Sequence, residues 1–162
     1  EFLNAAGFSS SPHLFYSGND TRTGKGGEWF QLFQIGFGGI PGRPLGDGPD
    51  GHSLWPGFTN VPNEFLERYF PLEIVRYETV ADSGGAGLHR GGNGIAMVYR
   101  FLEPGVIAIH DDRWFVPPWG VNGGEPGVER GELGGGHDRA FAASYTPSAE
   151  IRSSIFDWMS AT

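Results

Sequence analysis

Apolar residues along this chain recur in short runs separated by glycine and proline, which is the spacing of strands rather than of long helices. Leu14, Phe15 and Tyr16 form the first concentrated patch, and they predict a short strand within the loops of residues 1–27. Trp29 to Ile35 mixes large apolar residues with Gln31 and Gln34 and runs into Gly36-Phe37-Gly38-Gly39, which predicts a mostly buried strand ending at a turn. Residues 59–70, with Asn60, Pro62 and Asn63 ahead of Glu64 to Phe70, predict one or two helical turns stopped by Pro71. Three further strands are expected. Leu72 to Val80 alternates apolar and polar positions, Gly94 to Leu102 is apolar on both faces except at Arg100, and Val106 to His110 is a short buried run. Their linkers are short or glycine-rich, so an antiparallel meander is the simplest topology. From Thr146, followed by Pro147, the residues Ile151, Ile155, Trp158 and Met159 recur at helical spacing and predict one amphipathic helix, docked on the sheet or frayed.

Composition sharpens this picture. Gly 28 and Pro 12 among 162 residues, about a quarter of the chain, disfavour a helical bundle, whose interiors exclude both residue types. The fold class expected is therefore α+β and β-rich: a glycine-turn antiparallel meander with long Pro/Gly loops and one or two short helices. Two such loops stand out, Pro41 to Gly57 and Pro117 to Gly127. Loops this long in a compact domain carry function or are disordered. The chain opens at Glu1 rather than Met, which suggests a fragment of a larger domain.

A net charge of −8, with Lys25 the one lysine and no basic run, makes nucleic acid a poor partner. No apolar run approaches the length of a membrane span. With Cys 0, disulfides, zinc–cysteine clusters, iron–sulfur centres and a thiol nucleophile are excluded, and a reducing cytoplasm is the expected compartment. Arginine dominates the cations. Its planar fork suits buried ion pairs or anion contacts, although genomic base composition explains the bias equally well.

Familiar catalytic motifs are missing: the stretch from Gly18 to Lys25 has the wrong spacing for a phosphate loop, and there is no GxGxxG, HExxH or GxSxG. Ser83-Gly84-Gly85-Ala86-Gly87, with Arg90 nearby, reads either as a backbone nest for an anion or as a tight turn. His110-Asp111-Asp112-Arg113 reads either as a cation site or as an Asp–Arg ion pair at a strand end. His52, close in sequence to Asp47 and Asp50, belongs either to a site or to a solvated turn. Trp114, Phe115 and Trp119 around Pro117-Pro118 line either a pocket or a satellite core under a loop.

Three longer runs carry a resemblance. IGFGGIPGRPLGDGPDGHS from Ile35, RYETVADSGGAGLHRGGNGIAMVYRFLEPG from Arg76 and HDDRWFVPPWGVNGGEPG from His110 resemble, in order and spacing, the carboxyl-terminal half of hydantoinase B/oxoprolinase family proteins. The resemblance covers roughly residues 13–127. HDDRW and GRPLGDGPDGH look more like the ketone-carboxylase branch, typified by acetone carboxylase, than the plain oxoprolinase branch.

The resemblance implies an ATP-dependent system in which an A-type partner subunit or domain phosphorylates an amide or enolate oxygen of a small-molecule substrate. The B-type subunit then completes hydrolysis of a cyclic amide or carboxylation of a ketone. ATP and a divalent metal are implied for the complete complex. The family's metal ligands lie in an amino-terminal half that this chain lacks, so no metal ligand is assigned and no cofactor is expected on the isolated fragment, which should be inactive alone.

Residues 1–130 are expected to be the family-like part. Residues 131–162 are expected to be a divergent tail, since the segment after Arg130 departs from the family's pattern. Candidates for substrate or inter-domain contact are Arg43, Asp47, Asp50 and His52, then Asp82, Ser83 and Arg90, then Asp112 and Arg113. Glycine-bounded loops at strand ends can hold Arg against an anionic phosphorylated group, with an acidic neighbour fixing its fork. Two readings from other classes compete. One is a non-catalytic β-domain whose loops form a subunit interface, and the other a lectin-like module stacking sugars on Trp55, Trp114 and Trp119.

Overall fold

The structure, a computed structural model, describes residues 6–8, 13–52, 57–110, 116–127, 141–145 and 150–153. The strands are β1 (His13–Asp20), β2 (Glu28–Ile35), β3 (Leu72–Thr79), β4 (Ile95–Phe101), β5 (Gly105–His110), β6 (Phe141–Tyr145) and β7 (Glu150–Ser153), with one helix, α1 (Asn63–Tyr69), among the described residues. They form two sheets, ordered β2-β1-β5-β6 and β3-β4-β7, and every pairing is antiparallel. The β-rich α+β class is as the glycine-bounded runs require.

The first hairpin is longer than its apolar residues suggest. Beyond Tyr16 the positions are Ser17, Gly18, Asn19 and Asp20, yet all four stay paired with β2 through the main chain, and Ser17 and Gly18 pair with β5 as well. Asp20 closes the strand. Its buried carboxylate accepts from Arg22 Nε at 2.9 Å and Nη2 at 2.7 Å, a bidentate pair that fixes the turn back into β2. In β2 the burial alternates: Phe30, Leu32 and Gln34 point inward, and Trp29, Gln31 and Phe33 point outward. The strand expected to be mostly buried is thus half-buried.

Helix α1 begins after Pro62 and ends at Phe70, before Pro71, and it buries Leu66. Strands β3 and β4 form the second hairpin, with a register shift between Ile74 and Arg76. Arg100 does interrupt the apolar run of β4, and it pairs with its register partner Glu73 at 2.7 Å.

The expected meander stops at β4. That strand is flanked by β3 and β7, and β5 pairs instead with β1 in the other sheet. The linker Glu103-Pro104-Gly105 makes the crossing: Leu102 N–H donates to the Pro71 carbonyl, and the buried Tyr16 hydroxyl donates to the Glu103 carbonyl at 2.6 Å. In the tail, Ile151 and Arg152 belong to β7, opposite Tyr99 and Val98, where the helix from Thr146 was expected. An edge of β4 open to main-chain pairing outweighs the helical spacing there. The remaining positions of that helix lie outside the described residues. No helix among the described residues is long and apolar enough to cross a membrane.

One core joins both sheets. Leu14 and Tyr16 of β1, Phe30 and Leu32 of β2, and Ile107 and Ile109 of β5 pack with Met97, Tyr99 and Phe101 of β4, Leu72 of β3 and Leu66 of α1. This sandwich anchors the bases of two loops, the one leaving β2 and the one joining β3 to β4, and residues 116–127 form a third segment beside them.

Candidate functional site

The three loops meet backbone to backbone. Gly92 N–H donates to the Ile40 carbonyl at 2.8 Å, Ile40 N–H to Pro49 at 3.2 Å, Gly48 N–H to Arg90 at 2.8 Å and Gly51 N–H to Asn93 at 2.9 Å. Glu125 N–H reaches the Ala86 carbonyl at 2.7 Å and brings in the third loop. Such contact requires residues without a Cβ. One built on Gly39 would stand 1.8 Å from the Gly92 carbonyl oxygen, and one on Gly85 would stand 2.2 Å from that of Glu125. Glycine is used here for close approach. In the Ser83–Gly87 segment none of the three glycines has a positive φ, so the alternating geometry of an anion nest is not formed.

Side chains tie the same loops together. Asp50 Oδ1 accepts from Asn93 N–H at 2.7 Å and from Arg90 Nη1 at 2.9 Å. Asp47 Oδ1 accepts from Arg90 N–H at 3.1 Å and lies 3.7 Å from His89 Nδ1. Arg43 Nη2 donates to the Asp47 carbonyl at 3.3 Å. Ser83 Oγ donates to the Val80 carbonyl and accepts from Gly94 N–H, both at 2.8 Å.

Of the candidates read from the sequence, Arg43, Asp47, Asp50, Ser83 and Arg90 therefore come together as loop ties. His52 joins through its backbone, donating N–H to the Gly38 carbonyl at 2.9 Å. Asp82 sits exposed at the turn after β3 in the left-handed region, φ 58°. Asp112 and Arg113 lie outside the described residues, as do Trp55, Trp114 and Phe115.

Between the loops lies a cleft of about 120 Å³, walled largely by glycine backbone and by Ile40, Ser83, Ala86, His89, Trp119 and Glu125. His89 and Glu125 are its titratable groups among the described residues, and no Arg or Lys lines it there. Arg90 is engaged at its rim by Asp50, which leaves the wall to main-chain N–H and C=O groups, one imidazole and one carboxylate. These groups can orient a small polar molecule by hydrogen bonds and flank it with the Trp119 ring.

Sequence reasoning missed Asn93, which joins two loops: its N–H donates to Asp50, its carbonyl accepts from Gly51 and its Oδ1 accepts from Gly84 N–H at 3.1 Å. An amide embedded in Gly91-Gly92-Asn93-Gly94 was the available signal. Among the described residues no group of three or more His, Asp or Glu could hold a metal ion. Together with the lack of Arg or Lys on the cleft wall, this means that neither the implied metal nor a nucleotide triphosphate fits the described residues of the cleft.

Paired carboxylates give the loops an acid limit. Arg90, and then Asn93 N–H, hold the Asp50 carboxyl below its ordinary value, and Arg22 does the same for Asp20. A carboxyl with a depressed folded-state pKa contributes stability above its unfolded value, about 4, and loses it as pH falls through the folded value. Urea midpoints measured from pH 7 to pH 2.5 should therefore hold down to about pH 4 and then fall. In Asp50→Asn the fall should be shallower; an unchanged acid slope would remove the Asp50–Arg90 pair as its cause.

Comparison with known proteins fits these loops into a lineage. The family profile described as Hydantoinase B/oxoprolinase matches residues 1–152, running past Arg130 into the tail. An uncharacterized protein of Methanocaldococcus jannaschii is 45% identical over 69 residues, 43% of this chain and 12% of that protein. 5-Oxoprolinase 1 of Arabidopsis thaliana is 31% identical over 104 residues, 64% of this chain and 8% of the relative. A Pseudomonas protein named as the B-type subunit of a putative D-/L-hydantoinase is 29% identical over 99 residues, 61% and 16% respectively. The chain thus spans no more than about a sixth of these relatives' length. With 152 of its residues under the profile and its quoted glycine runs meeting around one cleft, the chain belongs to the hydantoinase B/oxoprolinase family.

Proposed function

We propose that this chain is part of the B-type catalytic subunit of an ATP-dependent enzyme that acts on a substrate phosphorylated by an A-type partner. The reaction is hydrolysis of a cyclic amide or carboxylation of a ketone. The observation that carries the reading is the meeting, at one cleft, of loops from distant parts of the family-like sequence. A wall of preorganised main-chain dipoles around a small cleft suits the charge of an activated intermediate. The relatives named as 5-oxoprolinase and as a hydantoinase component favour the cyclic amide. The HDDRW run supports the carboxylase branch, and the absence of cysteine supports a cytoplasmic location.

The test uses the complete polypeptide that contains this segment, combined with an A-type protein, ATP and Mg²⁺. ADP release and product are followed with 5-oxoproline, a hydantoin, or acetone plus bicarbonate. Substrate-dependent ADP release with a ring-opened product assigns hydrolysis, and a carboxylated product assigns the other branch. No ATP-dependent turnover with any of them rejects the reading.

A second reading has its own observation. The outer face of the β2-β1-β5-β6 sheet exposes Phe15, Phe33, Val106 and Trp29, the last at 66%, and the register puts all four on one side. An apolar face of this kind marks an interaction surface. In this reading the chain contributes an interface between subunits, so it binds the A-type protein without turnover.

A further inference from the structure

Two histidines 97 residues apart in sequence face each other across the β1–β5 ladder. His13 and His110 are direct partners in the antiparallel register, so both side chains leave the sheet on the same face. Their ring centroids are 5.6 Å apart and their planes are inclined at 45°. His13 also stacks on Phe33, with centroids 5.5 Å apart and planes at 20°, which fixes the orientation of its ring. His110 is exposed, so the pair opens to solvent on one side.

The centroid separation is close to that of a chelate. A metal–imidazole bond is about 2.0–2.1 Å, and the ring centre lies about 1.1 Å behind the nitrogen, so two rings sharing one tetrahedral ion have centroids about 5.2 Å apart. Each strand is held by main-chain pairing, so little conformational entropy remains to be lost when an ion draws the rings together. Neutral imidazole favours Zn²⁺, Cu²⁺ or Ni²⁺ over the oxygen-seeking Mg²⁺ and Ca²⁺.

We propose that His13 and His110 form a two-imidazole site for a divalent transition-metal ion of the Zn²⁺ class, with water filling the remaining positions. The site is built on the ladder of the four-stranded sheet and stands independently of the glycine-walled cleft and of the reaction proposed for it.

The untagged chain is titrated with Zn²⁺ by calorimetry and, separately, with Cu²⁺ while its electron paramagnetic resonance spectrum is recorded. One ion per chain is expected, with nitrogen couplings from two imidazoles. His110→Asn, at an exposed position, should weaken binding about tenfold or more and reduce the pattern to one imidazole. His13→Asn should do the same, with circular dichroism confirming that the sheets are intact. If His110→Asn binds with unchanged affinity and unchanged nitrogen couplings, or if the parent binds neither ion at millimolar concentration, the proposal is overturned.

Discussion

Gly92→Ala is expected to destabilise the protein by about 3 kcal/mol or more, well above the effect of most surface substitutions. The added Cβ would stand 1.9 Å from the Pro49 carbonyl oxygen and 2.5 Å from its carbon, so the obstacle is backbone and cannot turn aside as a side chain does. Relief requires moving the 39–50 stretch of loop away from residue 92. That would break the Gly92 N–H bond to Ile40 and disturb the neighbouring bonds from Gly48 to Arg90 and from Gly51 to Asn93. Gly46→Ala is the control: nothing lies within 4 Å of its Cβ and its φ is not positive, so it should be neutral within about 0.5 kcal/mol or slightly stabilising. Urea midpoints of the two variants settle the matter. A Gly92→Ala midpoint equal to that of Gly46→Ala would mean that the loops do not pack as described.

What the sequence made legible follows from range. Strands β3, β4 and β5 and helix α1 show in local pattern, because alternation and the bracketing prolines act within a few residues. The polar half of β1 does not show, since its pairing is main-chain and needs no apolar side chain. Nor does the transfer of β5 to the other sheet, which depends on long-range closure against Tyr16 and Pro71. At the site, Asp47, Asp50 and Arg90 stand out as charges among glycines. The expected acidic neighbour of Arg90 is Asp50, 40 residues away in sequence. A pairing at that separation is invisible to spacing rules, as is the His13 partner of His110. Glycine was legible as a type of loop residue, while its role as a contact surface between loops appears only once they are folded together.

Phe101→Ala is expected to cost about 3–5 kcal/mol, the usual range for removing a buried aromatic ring. Phe101 is 1% exposed and belongs to β4, and its ring meets that of Tyr16 on β1 edge-on, with centroids 4.5 Å apart at 63°. It also lies 6.3 Å from Tyr99, so its loss opens a void where the two sheets touch and leaves Tyr16 with one face unpacked. Val106→Ala, on the outer face of β5 and 48% exposed, removes less surface from a site already wet and should cost under about 1 kcal/mol. Denaturant unfolding of both variants, with Phe101→Leu as a partial refill that should recover more than half of the loss, tests whether the core is shared between the sheets. Equal costs for Phe101→Ala and Val106→Ala would mean that the sheets do not pack through this ring. The cleft should respond in step. Its loops spring from β2 on one sheet and from the β3–β4 hairpin on the other, so loosening the sandwich loosens their mutual contacts. Phe101→Ala should accordingly raise protease cleavage within residues 36–52 and 80–94 more than Val106→Ala does.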